Sequence, residues 1–135
     1  MAFSKKEIGA WGEAVARRFL EQRGYLITEK NFRTRFGEID IIAWQKDTDG
    51  AWVLCFIEVK TRGKKDGSAE RSVGRGKLLN ARHAAIVFCI SRHIDISETP
   101  IRFEHVRILP GPGVGSGQGK RARVRHLIID PPPLA

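Results

Sequence analysis

No run of about 18 apolar residues occurs in this 135-residue chain, which excludes a helix that spans a membrane. Cysteine is scarce. Cys55 and Cys89 sit in apolar stretches without CxxC or CxxH spacing, so they read as buried reduced thiols, neither a disulfide nor a metal site. His83, His93, His105 and His126 show no HxxxH spacing of the kind that places two imidazoles on one helical face. A Walker loop, a GxGxxG turn and a Gly-x-Ser-x-Gly elbow are all missing, which removes P-loop nucleotide hydrolysis and serine chemistry from consideration. The opening Met-Ala-Phe-Ser-Lys-Lys-Glu has no hydrophobic signal region, and the expectation is a cytoplasmic protein. There is no internal repeat, and the length suits one compact domain.

Acidic residues run short in the second half. Residues 1–59 hold nine basic and nine acidic side chains, whereas residues 60–135 hold fifteen basic and six acidic. The whole net charge of +9 therefore begins at Lys60. A field of that sign attracts a polyanion, and nucleic acid, DNA first, is the expected partner. No basic amphipathic helix with a clear apolar face accompanies the charge, so a membrane surface is not expected. Residues 62–76 combine Gly63, Gly67, Gly74 and Gly76 with Arg62, Lys64, Lys65, Arg71 and Arg75, and Lys77 follows. Glycine lets backbone approach a phosphate chain and the cations neutralise it, so these basic residues are the expected nucleic-acid contacts.

Hydrophobic spacing predicts a helix over residues 5–23, with Ile8, Trp11, Val15, Ala16 and Phe19 on one face. Ser4 and Glu7 have the spacing of a capping box, and Gly24 marks the end. Glu13 falls at the margin of the apolar face near Gly9 and Leu20, where a small residue lets another segment come close. Strands are expected from Tyr25 to about Arg33, Glu38 to Trp44, Ala51 to Thr61, Ile101 to Leu109 and Arg121 to Ile129. A second helix is expected from Lys77 to Ser91, with Leu78, Ala81, Ala85, Phe88 and Cys89 buried. Turn formers between Gln45 and Gly50 join the second and third strands into a hairpin. The expected plan is an α/β fold: residues 1–110 as the core of one domain, a Gly/Pro-rich loop at 111–120, a last strand within 121–130 and a Pro-rich tail at 131–135.

The hairpin carries the chemistry. By strand alternation Glu58 and Lys60 share a face with Trp52, Leu54 and Phe56, and Asp40 shares a face with Glu38 and Ile42. Any reasonable register brings Asp40 close to Glu58. Two carboxylates beside an ammonium suit a magnesium-class cation, which takes hard oxygen ligands and one or two carboxylates. Such a cation can acidify a water and stabilise charge on a phosphodiester. Lys60 then either orients the water or offsets charge on the transition state.

Asp followed by Glu-x-Lys on the next strand, with a helical glutamate upstream, resembles the PD-(D/E)XK nuclease superfamily. A longer ordered series resembles the YraN-like family of small bacterial proteins, whose fold is similar to that of archaeal Holliday-junction resolvases. The series is Gly12-Glu13-x-x-Ala16, Gly24-Tyr25, Asn31-x-Arg33, Gly37-Glu38-Ile39-Asp40-x-Ile42-Ala43, Glu58-Val59-Lys60-x-Arg62, Lys77 and Arg102-Phe103. The resemblance implies a restriction-endonuclease-like mixed sheet. It also implies metal ligation by Asp40 and Glu58, catalysis by Lys60, and an accessory, water-mediated ligand in Glu13. Where the family tends to show Arg-Phe-Asp, this chain has Arg102-Phe103-Glu104, and that acidic position reads as structural.

The expectation is a metal-dependent endonuclease that hydrolyses phosphodiester bonds of DNA, with branched DNA such as Holliday junctions as a candidate substrate. Its cofactor would be Mg²⁺, with Mn²⁺ as a substitute. The alternative is a nucleic-acid-binding module of the same fold without cleavage activity. A homodimer is compatible with a symmetric junction, although no sequence feature marks an interface.

Overall fold

In the computed structural model, residues 4–61, 75–109 and 122–129 are described, except for the side chains of residues 75–78. Helix α1 spans Lys5–Gln22 and strands β1, β2 and β3 span Leu26–Thr34, Gly37–Lys46 and Trp52–Thr61. Helix α2 spans Arg75–Ser91, and strands β4 and β5 span Ile101–Leu109 and Arg123–Ile129. The expected contacts Arg62, Lys64, Lys65 and Arg71 lie outside the described residues. So do the side chains of Arg75 and Lys77, the loop at 111–120 and the tail at 131–135. None of the described helices is long and apolar enough to cross a membrane.

The five strands form one mixed sheet in the order β1-β2-β3-β4-β5, antiparallel except for the parallel β3–β4 pair. A parallel pair needs a long crossover, and α2 lies within it. The α/β expectation is met. α1 starts where expected: the Ser4 hydroxyl accepts from the Glu7 N–H at 3.1 Å, and the Glu7 carboxylate accepts from the Ser4 N–H at 2.9 Å. The β2–β3 turn is pinned by Asp47, whose carboxylate accepts from the Asp49 and Ala51 N–H groups at 2.9 and 3.1 Å.

The sheet is apolar on both faces, and each helix covers one. Ala16 and Leu20 of α1 pack with Ile41, Ala43, Cys55, Ile57, Val106 and Ile108. Ala84, Ala85, Phe88 and Cys89 of α2 pack with Ile39, Ile42, Leu54, Phe56 and Phe103. Strand alternation divides β3 and β4 cleanly between these clusters. Trp52 departs from the expected aromatic core. It closes the hairpin at the end of the strand, 41 % exposed, with the Lys46 ammonium 5.2 Å from its ring centre.

On the α1 side a buried carboxylate ties the sheet together. Glu104 accepts from the Tyr25 hydroxyl at 2.7 Å and from Arg102 Nε at 2.8 Å, and it contacts His126 Nε2. Arg102 also donates to Gln45 and to the Tyr25 hydroxyl. The entry to β1, β4 and β5 thus meet at Glu104, and Arg102 extends the network to β2. Burial alone would push Glu104 up, but the hydrogen bonds from His126, Arg102 and Tyr25 outweigh it and hold the carboxyl down to about 2. Burial, then the hydrogen bond to Glu104 and its charge, holds the Tyr25 hydroxyl in its neutral form. The acidic position singled out in Arg102-Phe103-Glu104 is therefore structural. Glu104→Gln should cost about 3–5 kcal/mol in denaturant unfolding at neutral pH, because it leaves Arg102 without its charge partner. The folded carboxyl titrates below the ordinary 4.5, so its contribution is present above that pH and fades as pH falls towards 2. The deficit of the variant should shrink over the same range, and a loss under about 1 kcal/mol at neutral pH would contradict this role.

Candidate active site

The hairpin ladder stops one pair before Asp40. β2 and β3 pair from Lys46↔Trp52 to Ile41↔Ile57, and Val59 then donates its N–H to the Asp40 carboxylate at 2.7 Å. A side chain thus takes the place of the next ladder partner, and the strands part around it. Ile39 and Ile42 both pack under α2 although they lie three residues apart. Alternation therefore breaks between Ile39 and Ile41, at Asp40 itself. Opposite, between the pairs Lys30↔Ile41 and Phe32↔Ile39, Asn31 adopts φ 54°. That backbone region tolerates Asn better than most residues. The Asp40 side chain enters the gap between strands, and it can meet groups from both faces of the sheet.

Asp40, Glu58 and Lys60 all line one cleft of about 340 Å³, together with Glu38 from β2 and Asn80 from α2. The structure thus brings together the three residues on which the sequence reading centred. The Lys60 ammonium is 3.7 Å from the Glu58 carboxylate. Both side chains are partly exposed. Burial is the main influence on Asp40 and raises its carboxyl to about 6. The Val59 N–H opposes the rise, while the charges of Glu13, Glu58 and Glu38 add to it.

Glu13 reaches this neighbourhood from α1 through a close helix–strand approach. A Cβ on Gly12 would lie 1.8 Å from Thr61 Oγ1 and 2.9 Å from Thr61 Cβ, so only glycine allows α1 to lie against the end of β3. The small residue that matters is Gly12, buried in the contact. Gly9, the one singled out for its place near Glu13, has nothing within 4 Å of where its Cβ would be.

The sequence reading weighed His105 only by metal-ligand spacing and did not single out Arg107. In the parallel ladder His105 pairs with Glu58 and Arg107 with Lys60, and both are buried. Helical and zinc-finger spacings miss such residues. The signal was the alternation of Phe103, His105 and Arg107 along β4, which puts polar groups on the same face as Glu58.

Carboxylate oxygens are hard donors, and mutual repulsion among four of them is the condition a divalent cation relieves. Asp40, Glu58 and Glu13 fit a magnesium-class ion on that ground. Among the described residues no group of three or more His, Cys, Asp or Glu side chains is already gathered as a cage. A magnesium site commonly relies on one or two carboxylates, with water and phosphate completing the shell.

Comparison with known proteins places the chain in a family. A family model described as "Uncharacterised protein family UPF0102" matches residues 12–108, and the chain belongs to that family, the one the sequence resemblance named YraN-like. A UPF0102 protein of Syntrophomonas wolfei is 36% identical over 124 residues, covering 91% of this chain and 96% of the relative. One from Clostridium kluyveri is 40% identical over 105 residues, covering 77% and 80%. One from Myxococcus xanthus is 31% identical over 124 residues, covering 91% and 87%. The matched span contains Gly12, Glu13, Asp40, Glu58, Lys60 and Glu104.

Two outcomes are expected. Gly12→Ala should destabilise the protein by about 1–3 kcal/mol in thermal or denaturant unfolding. Thr61→Ala in the same chain should restore part of that loss, since it removes the atom 1.8 Å away and leaves the Cβ at 2.9 Å. Equal stability of Gly12→Ala and wild type would contradict the tight contact. The second concerns Asp40. Its folded carboxyl titrates at about 6, above the ordinary 3.8, so ionised Asp40 opposes folding. The penalty is absent below the ordinary value, grows as pH rises towards 6 and is complete above it, with an upper bound of about 3 kcal/mol. Without divalent cations, Asp40→Asn should be more stable than wild type above about pH 6, and the two should converge below about pH 4. A variant less stable than wild type at neutral pH would contradict the repulsion.

Proposed function

We propose that this protein is a metal-dependent endonuclease acting on DNA, with a site of the PD-(D/E)XK kind. The observation that carries the reading is one cleft holding Asp40, Glu58 and Lys60, with the Asp40 carboxyl raised to about 6 by burial and neighbouring carboxylates. A binding module has no use for an acid kept in that state, whereas perturbed acids in clefts are the usual mark of working sites.

Asp40 and Glu58 would hold Mg²⁺ or Mn²⁺, and Glu13 would act through a water. When bound, such a cation supplies a more acidic water and charge stabilisation at phosphate oxygens. The chain supplies the rest. The Val59 N–H fixes one oxygen of Asp40 and leaves the other for ligation. Lys60 keeps a positive charge beside Glu58, where negative charge grows on the phosphate as the nucleophile attacks. The net charge of +9 draws the polyanion in. Branched DNA is the first substrate to try, because the nuclease likeness is to junction resolvases, and a homodimer would then present two sites. A cytoplasmic location fits a DNA substrate and two free, buried cysteines.

Purified protein should cut plasmid or four-way-junction DNA when Mg²⁺ or Mn²⁺ is added and stop on chelation. Asp40→Ala and Glu58→Ala should fall to background. Lys60→Ala should fall on the order of 10²–10³-fold, as for loss of one group that stabilises transition-state charge. Cleavage that persists unchanged in Asp40→Ala and Glu58→Ala would contradict the assignment. Salt-dependent DNA binding without metal-dependent cleavage would favour the non-cleaving module.

A further inference from the structure

The tip between β1 and β2 is built more rigidly than a surface turn requires. Thr34 Oγ1 accepts from the Phe36 and Gly37 N–H groups at 3.0 and 3.2 Å and donates to the Gly37 carbonyl at 3.0 Å. Gly37 has φ 151°, a conformation that a side chain would strain, and its Cβ position faces Asn80 Cβ at 3.6 Å. Phe36 packs on His83 of α2, with ring centres 4.9 Å apart. The tip is thus docked on α2 at the mouth of the cleft, whose lining includes both Gly37 and Asn80.

Two arginines stand on this docked tip. Arg33 is 81 % exposed, and its Nε lies 3.6 Å from the carboxylate of Glu38, which lines the cleft. Arg35 is exposed, with its guanidinium carbon 5.0 Å from the centre of the Phe36 ring. A guanidinium held against an aromatic ring is preorganised and still presents several N–H donors outward, the form that suits phosphate. Arg33 masks Glu38, which would otherwise repel a phosphate at the entrance.

We propose that Arg33 and Arg35 are the phosphate grip of the cleft, contacting the sugar–phosphate backbone of a nucleic acid strand beside the Asp40–Glu58 site. The inference rests on the reading of that site as a DNA site. It adds contacts on the opposite side of the chain's charge asymmetry, in the half whose charges sum to zero. Contacts to phosphate carry no sequence information, so the grip selects a polyanion rather than a base sequence.

The test is binding of a short fluorescein-labelled DNA duplex, followed by anisotropy from about 50 to 200 mM salt with divalent cations chelated. Removing one arginine that neutralises a phosphate should lower the slope of log affinity against log salt by about 0.9. Arg33→Ala and Arg35→Ala should each show that drop. Arg35→Lys should keep most of the slope but bind more weakly, because an ammonium cannot reproduce the stacked fork. Glu38→Gln should bind more tightly than wild type. Arg18→Ala removes the same charge from an exposed position on α1 and should leave the slope unchanged. If wild type binds duplex while Arg33→Ala and Arg35→Ala keep its slope, or match Arg18→Ala, the grip is wrong and the nuclease reading stands. Absence of binding by wild type at the lowest salt would overturn both.

Discussion

A single hydrogen bond, from the Val59 N–H to the Asp40 carboxylate, decides the shape of the site. An antiparallel ladder that continued would pair the backbone beyond Ile41 and Ile57, and Asp40 would stand on one face of the sheet. With a side chain substituted for the ladder, the strands part and the carboxylate occupies the gap. From there it feels Glu13, carried on α1, and Glu58, which shares the α2 side with Phe56. The cleft exists because the sheet is left unfinished at that point.

Two carboxylates in one small domain, Glu104 buried and Asp40 half-buried, meet opposite fates. Glu104 is surrounded by donors from β4, β5 and the entry to β1, and its carboxyl is held down to about 2. Asp40 has one backbone donor and three acidic neighbours, and its carboxyl is pushed up to about 6. The first arrangement stabilises the fold. The second destabilises it unless a cation or a proton arrives, and such local conflict is expected where function overrides packing. The Gly12 contact belongs to the same logic. A glycine inside a helix costs roughly 1 kcal/mol relative to alanine, and here it lets α1 bring Glu13 towards Asp40.

Much of this was legible in the chain. Apolar periodicity and the Ser4–Glu7 pair placed α1, and the turn formers before Gly50 placed the hairpin. The pattern of Asp40, Glu58 and Lys60 named residues that do share a cleft. Alternation failed where the backbone departs from an ideal strand, between Ile39 and Ile41, and no residue-type rule announces such a break. Gly9 and Gly12 look alike in sequence, since which of them meets β3 depends on the packing angle of α1. His105 lacked a recognisable spacing because its neighbour Glu58 lies on another strand, and only the parallel register pairs them. The sheet order was likewise set by long-range pairing. The glycine- and cation-rich segment that carried much of the expectation of nucleic-acid binding lies outside the described residues. Arg33 and Arg35, whose half of the chain is balanced in charge, stand on the β1–β2 tip, next to Gly37 and Glu38 of the cleft lining.

The chemistry proposed for the cleft turns on the protonation of one carboxyl and its response to a divalent cation. Carboxyl-carbon NMR of the protein, titrated with pH in the presence and absence of Mg²⁺, reads both at once. Asp40 should titrate near 6 in the metal-free protein, and the midpoint should fall well below that when Mg²⁺ is added. A midpoint at the ordinary 3.8, unmoved by Mg²⁺, would contradict the crowded site and the metal chemistry built on it.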